Sequence, residues 1–381
     1  MTFPPPPPGS TSPGGFQPSH GGTGGHSGPD LPMQSWRQPP FQPQGPKRGS
    51  GMKWALGAVA LAAVIGVTAA VTLSVANNGR DDAGSPMGAP TSAAGASSSD
   101  IASANDAGAV AVITEDPSCA AQHPVLNTWV DVAKNGWQSR DPSIPATDWT
   151  PEVRTQHEEV GQAMRSAADQ LVPLVKLTPH RAMRELYEQF IAYARAYANS
   201  IPTYTPPADN LARATIAASE AIGYICAAIG YGSAAARGPL LPALSAPSEV
   251  ASVGDPSDPQ RFLTEPNPTC GEWAAAVTQF DEDTADWRKT DPDIPASQWS
   301  PHQRALNDEV GPVMKQYASK LGSLGEQSGN STWRDFAALS LQYRNAYVLA
   351  LPTYTAADRY LNATSSRLNG MVKAACQAID A

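Results

Sequence analysis

Acidic residues that recur at equivalent positions in two parts of the chain are the first candidates for chemistry. Asp141 and Glu159 have counterparts at Asp291 and Glu309, each 150 residues further on. Two carboxylates on either side of a glycosidic bond form the catalytic set of most glycoside hydrolases. One shared Asp and one shared Glu per copy is a sparse basis for that reaction. A helix cap or a surface ion pair with the neighbouring arginine explains the glutamates more simply, so carboxylate hydrolysis is kept only as an alternative.

A loop rich in Pro and Trp surrounds these aspartates in both copies, with the pattern W-x3-DP-x-IPA-x2-W-S/T-P. A tyrosine follows in each copy, within the sequence IPTYT or LPTYT. Such rings could line a groove that stacks on sugars, or the loops could fold back and plug one end of a helical bundle with the tyrosines in its core. The candidate ligand surface consists of Asp141, Trp149, Tyr204, Asp291, Trp299 and Tyr354.

The histidines do not indicate a metal site. None of the six recurs between the copies, and none stands at ligand spacing from Cys, Asp or Glu. The sequence also has no Gly-rich phosphate loop, no G-x-S-x-G and no H-E-x-x-H. We therefore expect no catalytic residues, no metal and no cofactor. Tandem copies suit a binding module, because two linked sites gain avidity.

An internal duplication positions all of these residues. The 28 residues that begin at Trp137 and the 28 that begin at Trp287 are identical at 13 positions without a gap. At the same offset, YARAYANSIPTYT from Tyr193 matches YRNAYVLALPTYT from Tyr343. The outer part of the chain is therefore predicted to be two copies of one domain of about 110 residues, which is an ordinary domain size.

Apolar residues in each copy recur at intervals of three and four, which predicts four amphipathic helices per copy. Thr150-Pro151, Thr178-Pro179 and Ser300-Pro301 each place a capping hydroxyl before a proline at the first helical position. Gln303 would complete a capping box with Ser300. The expected fold is all-α: a single transmembrane helix followed by two tandem four-helix bundles, each stapled by a disulfide.

The four cysteines follow the duplication, with one pair in each copy. Three pairings are possible, and the duplication favours Cys119 with Cys226 and Cys270 with Cys376, because each copy would then fold alone. An oxidising compartment outside the membrane favours disulfides over the alternative of four buried thiols. Closing a loop of about 100 residues stabilises a fold by roughly 4–5 kcal/mol in the chain-entropy description.

One uncharged apolar run precedes the duplicated region. Residues 54–76 read WALGAVALAAVIGVTAAVTLSVA, and a helix of about 20 residues is enough to cross a bilayer core. Basic residues before the run and acidic residues soon after it predict the plasma membrane, a cytoplasmic N-terminus and an extracytoplasmic C-terminal region. A cleaved signal peptide ending at Ser74-Val75-Ala76 is the alternative, although the run is long for one.

Composition divides the rest of the chain. The Pro- and Gly-rich opening cannot bury enough apolar surface to fold, so we expect a disordered cytoplasmic tail, either free or docked to a cytoplasmic partner. The predicted layout is a tail at 1–53, a transmembrane helix at 54–76, an Ala/Ser/Gly spacer at 77–116, helical repeat one at 117–230, a Pro-rich linker at 231–268 and helical repeat two at 269–381.

The charge distribution argues against nucleic acid as a partner. The chain has a formal net charge of −9, yet the residues up to Lys53 include four basic side chains and one acidic side chain. The remainder is therefore strongly acidic and lacks the basic patch that phosphates require.

The plan of the chain resembles the uncharacterised, proline-rich, single-pass membrane proteins of mycobacteria and related actinobacteria. The tail at 1–50, the Lys/Arg-flanked span at 54–76 and an Ala-rich outer region with paired cysteines carry the resemblance. It implies a cell-envelope location and supplies no functional residues. We expect a non-enzymatic binding or scaffold protein whose outer domains bind a cell-wall glycan or an envelope protein. An envelope hydrolase and a spacer without a ligand are the alternatives.

Overall fold

The computed structural model describes residues 100–379 and residue 381. The predicted tail and transmembrane helix lie outside the described residues, as do residues 77–99. Every regular element of the described part is helical, without a β-strand, which confirms the all-α class. Its α-helices are α1 (Cys119–Ala133), α2 (Pro151–Leu177), α3 (Arg181–Ser200), α4 (Asp209–Gly230), α5 (Ser233–Arg237), α6 (Thr269–Asp283), α7 (Pro301–Gln327), α8 (Ser331–Ala350) and α9 (Arg359–Gln377).

The two halves of the described chain begin their longest helices in the same way. α2 and α7 each have 27 residues and start at Pro151 and Pro301. The hydroxyls of Thr150 and Ser300 accept a hydrogen bond from the backbone N–H three residues later, so these two predicted N-caps are confirmed. The predicted capping box is wrong, because the Gln303 side chain donates instead to a carbonyl oxygen of the preceding loop at 3.3 Å.

The predicted helix start at Thr178 is also wrong. α3 begins at Arg181, two residues after Pro179, the predicted first helical residue. The Thr178 hydroxyl donates to Asp116 Oδ2 at 2.5 Å and accepts a hydrogen bond from the His180 N–H at 3.2 Å. Ser328 in the second half likewise accepts from the N–H two residues later, and α8 begins at Ser331, so the same turn precedes both helices.

Both disulfides join the first turn of one helix to the last turns of another in the same half. Cys119 in α1 pairs with Cys226 in α4, and Cys270 in α6 pairs with Cys376 in α9. The predicted pairing is confirmed, and the described residues contain no free cysteine. Each bond closes a long loop, with sequence separations of 107 and 106 residues.

The equivalent helices α4 and α9 form the most extensive helix–helix contact in the described part. The Asn210 side chain, near the start of α4, donates to the carbonyl oxygen of Gln377 at the end of α9 at 3.1 Å. Glu220 and Arg367 pair at 2.9 Å further along. The two helices therefore run antiparallel, as equivalent surfaces do when an approximate twofold axis relates them. The halves belong to one compact unit.

Segments outside the eight equivalent helices are packed against both halves. Ile113 is buried, and its carbonyl oxygen accepts a hydrogen bond from the Tyr343 hydroxyl at 3.4 Å. Arg237, within the Pro-rich segment that joins the halves, pairs with Asp358 at 3.1 Å. The described part of the predicted spacer and much of the predicted linker are thus integral parts of the fold.

One described segment, Pro206–Gly230, is long and apolar enough to cross a membrane by length and composition alone. Of its apolar window, 56% is buried against protein, and Cys226 within it is disulfide-bonded. Burial and cross-linking of this kind are typical of a core helix.

Candidate functional site

The Pro- and Trp-rich loop of the first half is held in place by the residues of its own motif. The Ala146 N–H donates to the Tyr204 carbonyl oxygen at 2.9 Å, and the Tyr204 hydroxyl donates to the Pro142 carbonyl oxygen at 3.1 Å. The Trp149 indole donates to a loop carbonyl at 2.9 Å, and Arg154 donates to the Ala146 carbonyl oxygen at 2.7 Å. The loop is therefore packed onto the helices by both its backbone and its side chains.

The same bonds recur in the second half. The Ala296 N–H donates to the Tyr354 carbonyl oxygen at 2.9 Å, and the Tyr354 hydroxyl donates to the Pro292 carbonyl oxygen at 2.6 Å. Trp299 and Arg304 bond to loop carbonyls at 2.9 and 2.8 Å. Trp149, Tyr204 and Arg154 thus make the same structural contacts as their counterparts in the second half.

The aromatic members of the candidate ligand surface are buried. Trp149 and Trp299 are each 8% exposed, Tyr204 is 1% exposed and Tyr354 is 4% exposed. Their rings pack inside the fold and their polar atoms hold the loops. They do not form an exposed surface in this structure.

The acidic members of that surface, Asp141 and Asp291, are exposed. Asp141 accepts hydrogen bonds from the hydroxyl and N–H of Ser143, and these bonds hold the pKa of its carboxyl below the ordinary value. A catalytic general acid needs a raised pKa instead. Glu159 lies on the exposed side of α2. Among the described residues, no cluster of His, Cys, Asp or Glu could hold a metal ion.

A buried histidine lies beneath the first loop, and the sequence analysis did not single it out. The His157 ring stacks on Trp149 with centroids 4.0 Å apart and is 1% exposed. Its Nδ1 lies 2.8 Å from the Tyr197 hydroxyl, which accepts a hydrogen bond from the Trp137 indole. Its Nε2 has no partner within the described chain. Desolvation, reinforced by the charge of Arg140, lowers the pKa of His157 to about 4.

Asn307 stands at the equivalent position in the second half. Its Oδ1 accepts a hydrogen bond from the Trp287 indole at 3.0 Å, and its Nδ2 donates to the Gln303 carbonyl oxygen at 2.8 Å. Of the two equivalent positions, the first therefore carries an imidazole and the second a neutral amide.

Charged side chains are buried where α3 and α8 meet. Arg181 Nε donates to Asp335 Oδ2 at 2.6 Å, and both side chains are 2% exposed. Arg181 also donates to the carbonyl oxygens of Asp106 and Gly108. Because removing one partner of a buried pair is costly, this contact holds the N-terminal segment and the two halves in one arrangement.

Glu185 is the counterpart of Asp335 in the first half, and it lacks a comparable cation. The residue equivalent to Arg181 in the second half is Ser331. Both carboxyl oxygens of Glu185 are buried without a hydrogen-bond partner in the described chain, although Arg184 lies 3.5 Å away. Burial, together with the charge of Asp335, raises the pKa of Glu185 well above its ordinary value.

A cleft of about 550 Å³ opens in the second half, between α7, α8 and residues 244–248. Its lining combines hydroxyls, charged groups and apolar side chains. The lining on α7 and α8 includes Gly322, Glu326, Arg334, Asp335, Ala338 and Leu341.

Two small residues of the cleft wall have larger counterparts in the first half. Ala338 on α8 corresponds to Glu188, and Gly322 on α7 corresponds to Val172. Both substitutions remove side-chain volume from the cleft wall. The second half therefore lacks the larger side chains that these two positions carry in the first half.

The replacement of Glu188 by Ala338 at the equivalent position leaves Arg334 without an acidic partner on its own helix. In the first half, Arg184 donates to both carboxylate oxygens of Glu188, at 2.9 and 3.0 Å. Arg334, the counterpart of Arg184, has no ion pair within the described chain. It donates to the carbonyl oxygen of Glu249, and its Nε is buried without a partner. The cleft therefore presents a guanidinium with free donor capacity.

Residues 244–248 form the open border of the cleft. They have no regular secondary structure, and their backbone groups make no hydrogen bond to other described residues. Free N–H and C=O groups beside a cleft are available to pair with the backbone of a bound peptide.

The sequence contains a signal for this site. Arg184-Glu185 and Arg334-Asp335 are Arg–acid pairs at the 150-residue offset, in helices whose neighbouring positions are largely apolar. Recurrent charges in such a setting indicate a buried polar contact. The loss of the acid equivalent to Glu188 becomes visible only when the two helices are aligned.

Comparison with known proteins gives a family and a relative. Residues 101–380 match the family model described as mycobacterial ESX-1 associated protein. An uncharacterized protein of Mycolicibacterium smegmatis (strain MKD8) is 55% identical over 365 residues, which cover 95% of this chain and 94% of that protein. No solved structure matches the chain.

Proposed function

Because the chain belongs to the family of mycobacterial ESX-1 associated proteins, we propose that it is a non-enzymatic docking protein that binds a protein partner at this secretion system. The observation that carries the proposal is the cleft beside Arg334. Arg184 is neutralised by Glu188 of its own helix, whereas Arg334 borders an open cleft. We interpret this difference as specialisation of the second half for binding.

The proposal includes a location in the cell envelope, with a single span at 54–76 and residues 100–381 outside the cytoplasm. Two disulfides fit an oxidising compartment, and the charges that flank the span predict the same orientation. Alkaline extraction of membranes and protease treatment of spheroplasts test this location. Release of the intact chain by alkali, or protection of its C-terminal part from protease, would contradict it.

A protein partner is favoured over a cell-wall glycan because of where the aromatic side chains lie. Tyr204 and Tyr354, for which stacking on sugar rings was one of two alternatives, are buried and bonded to their loops. The cleft instead offers an arginine, hydroxyls and free backbone groups. These groups suit a polypeptide, which supplies both a backbone and side chains.

Two residues of the cleft wall are bonded to other parts of the fold, which favours docking. Asp335 in its wall is bonded to Arg181 of the other half, and Arg334 in its wall is bonded to Glu249 at the end of the border segment. Binding to a site that is already formed loses less conformational entropy than binding to a disordered one.

Site-specific photo-cross-linking in mycobacterial cells that assemble the ESX-1 system tests the function. A photoreactive residue replaces Ser248 at the border of the cleft, and a control chain carries it at Gln170, which is exposed on α2. We expect adducts with a component of the secretion system from position 248 and not from position 170. Adducts without such a component, or equal adducts from both positions, would overturn the proposal.

A further inference from the structure

The cleft beside Arg334 has a specific chemical preference. We propose that it receives one carboxylate side chain, from Asp or Glu, carried by an irregular segment of the partner protein. This inference rests on the proposed docking function and names the group that is recognised. The incoming carboxylate takes the place on Arg334 that Glu188 takes on Arg184.

The first half shows how such a carboxylate is bound. Glu188 lies four residues after Arg184 on the same helix and accepts two hydrogen bonds from its NH1 group. Charge-assisted bonds of this kind are stronger than neutral ones. Burial raises the pKa of Glu188, and Arg184 partly offsets that effect. A carboxylate is thus held by this arginine even in a buried position.

The second half keeps the arginine and replaces the acid with alanine. Ala338 lines the cleft at the position equivalent to Glu188, so the space of that carboxylate is open. Arg334 Nε is buried and has no partner in the described chain. Nε of Arg184 is equally unpartnered beside Glu188, which bonds to NH1, so the two halves differ in the carboxylate that is missing beside Arg334.

The other charges of the cleft limit how acidic the bound segment is. Asp335 is already bonded to Arg181, which offsets its charge. Glu326 lines the cleft, is exposed and repels a second acidic group. The site therefore suits a single carboxylate with uncharged neighbours rather than a run of acidic residues. Leu341 provides apolar contact for one of those neighbours.

Selection from a phage-displayed library of short random peptides tests the inference on the full-length protein in detergent micelles. We expect the enriched peptides to share one Asp or Glu. A synthetic copy of an enriched peptide, followed by fluorescence anisotropy, should lose about tenfold or more in affinity when its acid becomes the amide, as the loss of a charged hydrogen bond predicts.

Variants of the protein supply the matched controls. Ala338→Glu copies Glu188 of the first half, so we expect Arg334 to be neutralised internally and the peptide affinity to fall by about tenfold. Ala121→Glu adds the same charge on the exposed face of α1 and should leave the affinity unchanged. Glu326→Gln removes the opposing charge and should strengthen binding a few-fold at low salt.

Several results would overturn the inference: no enriched peptide, enriched peptides without an acid, or full affinity in a folded Ala338→Glu variant. If circular dichroism shows that this variant does not fold, Arg334→Gln takes its place, with the same expected loss. The cross-linking experiment at Ser248 separates the two proposals. If a partner is cross-linked but the peptides bind without an acid, the carboxylate proposal is rejected and the docking function stands. If the peptides require an acid but no partner is cross-linked, the docking function is rejected and the preference of the cleft for a carboxylate stands.

Discussion

Arg181 and Asp335 bond at 2.6 Å across the boundary between the two halves, while their equivalents, Ser331 and Glu185, cannot form an ion pair. The two equivalent buried carboxyl groups, Glu185 and Asp335, therefore have different charged neighbours. One acid is paired with a cation, and the other favours its protonated form because burial raises its pKa.

Asp335→Asn should lower the free energy of unfolding by about 3 kcal/mol, because it leaves the buried guanidinium of Arg181 with only the partly exposed carboxylate of Asp106, 3.6 Å away, as a counter-charge. Urea titration of the full-length protein measures this loss. The double variant Arg181→Leu, Asp335→Leu should lose less than Asp335→Asn alone, since it removes both buried charges. An unchanged stability of Asp335→Asn would show that the pair does not hold the halves together.

Glu185→Gln should have the opposite effect at neutral pH. The pKa of Glu185 is higher in the folded than in the unfolded protein, so the folded state binds the extra proton and stability falls as the pH rises between the two pKa values. Glutamine does not titrate and avoids this loss. We therefore expect the variant to be at least as stable as the wild type at pH 7, with its relative advantage lost at pH 4. A loss comparable with that of Asp335→Asn would mean that Glu185 is ionised and paired.

His157 should make the protein sensitive to mild acid. Its pKa is lowered to about 4 by desolvation and by Arg140, against the opposing charge of Asp209. The unfolded chain therefore binds a proton below about pH 6.5 that the folded chain does not bind, and stability falls as the pH drops. Between pH 7 and pH 5, the expected loss from this group is about 2 kcal/mol.

Substitution of this histidine by the residue of the other half isolates its contribution. His157→Asn copies Asn307 and should remove that part of the pH dependence, as measured by urea unfolding at pH 7 and pH 5. His302→Asn, at an exposed position, serves as the control and should keep the wild-type dependence. The same acid sensitivity in His157→Asn as in the wild type would assign the effect to other groups.

Local patterns in the sequence predicted the helical class, the disulfide pairs and the caps at Thr150 and Ser300, because each depends on spacing or on the duplication. They failed at Thr178, where a turn delays the start of α3 to Arg181. They left open whether Trp149 is exposed or buried, because this depends on how the loop folds back. The position of the loop depends on long-range contacts such as the bond between Ala146 and Tyr204, and helical periodicity carries no information about them.

The hydroxyls of Tyr204 and Tyr354 should contribute equally to stability, because each holds the equivalent loop through one hydrogen bond to a proline carbonyl. Tyr204→Phe and Tyr354→Phe should each lower the free energy of unfolding by about 1 kcal/mol. Neither should change peptide affinity at the cleft beside Arg334. A lower peptide affinity with an unchanged free energy of unfolding would show that these tyrosines take part in ligand binding.

Two equivalent glycines test how far the packing of the halves has diverged. A Cβ at Gly311 would meet Leu351 Cδ1 at 3.6 Å, which is an ordinary contact, whereas a Cβ at Gly161 would lie 2.3 Å from Ile201 Cδ1. Gly311→Ala should therefore raise the free energy of unfolding by about 0.5–1 kcal/mol, as expected for a helix interior. Gly161→Ala must displace Ile201, and overpacking of about 1–3 kcal/mol cancels or reverses that gain. Equal effects in urea titrations would show that Ile201 moves freely and that the two helices are packed with the same tolerance.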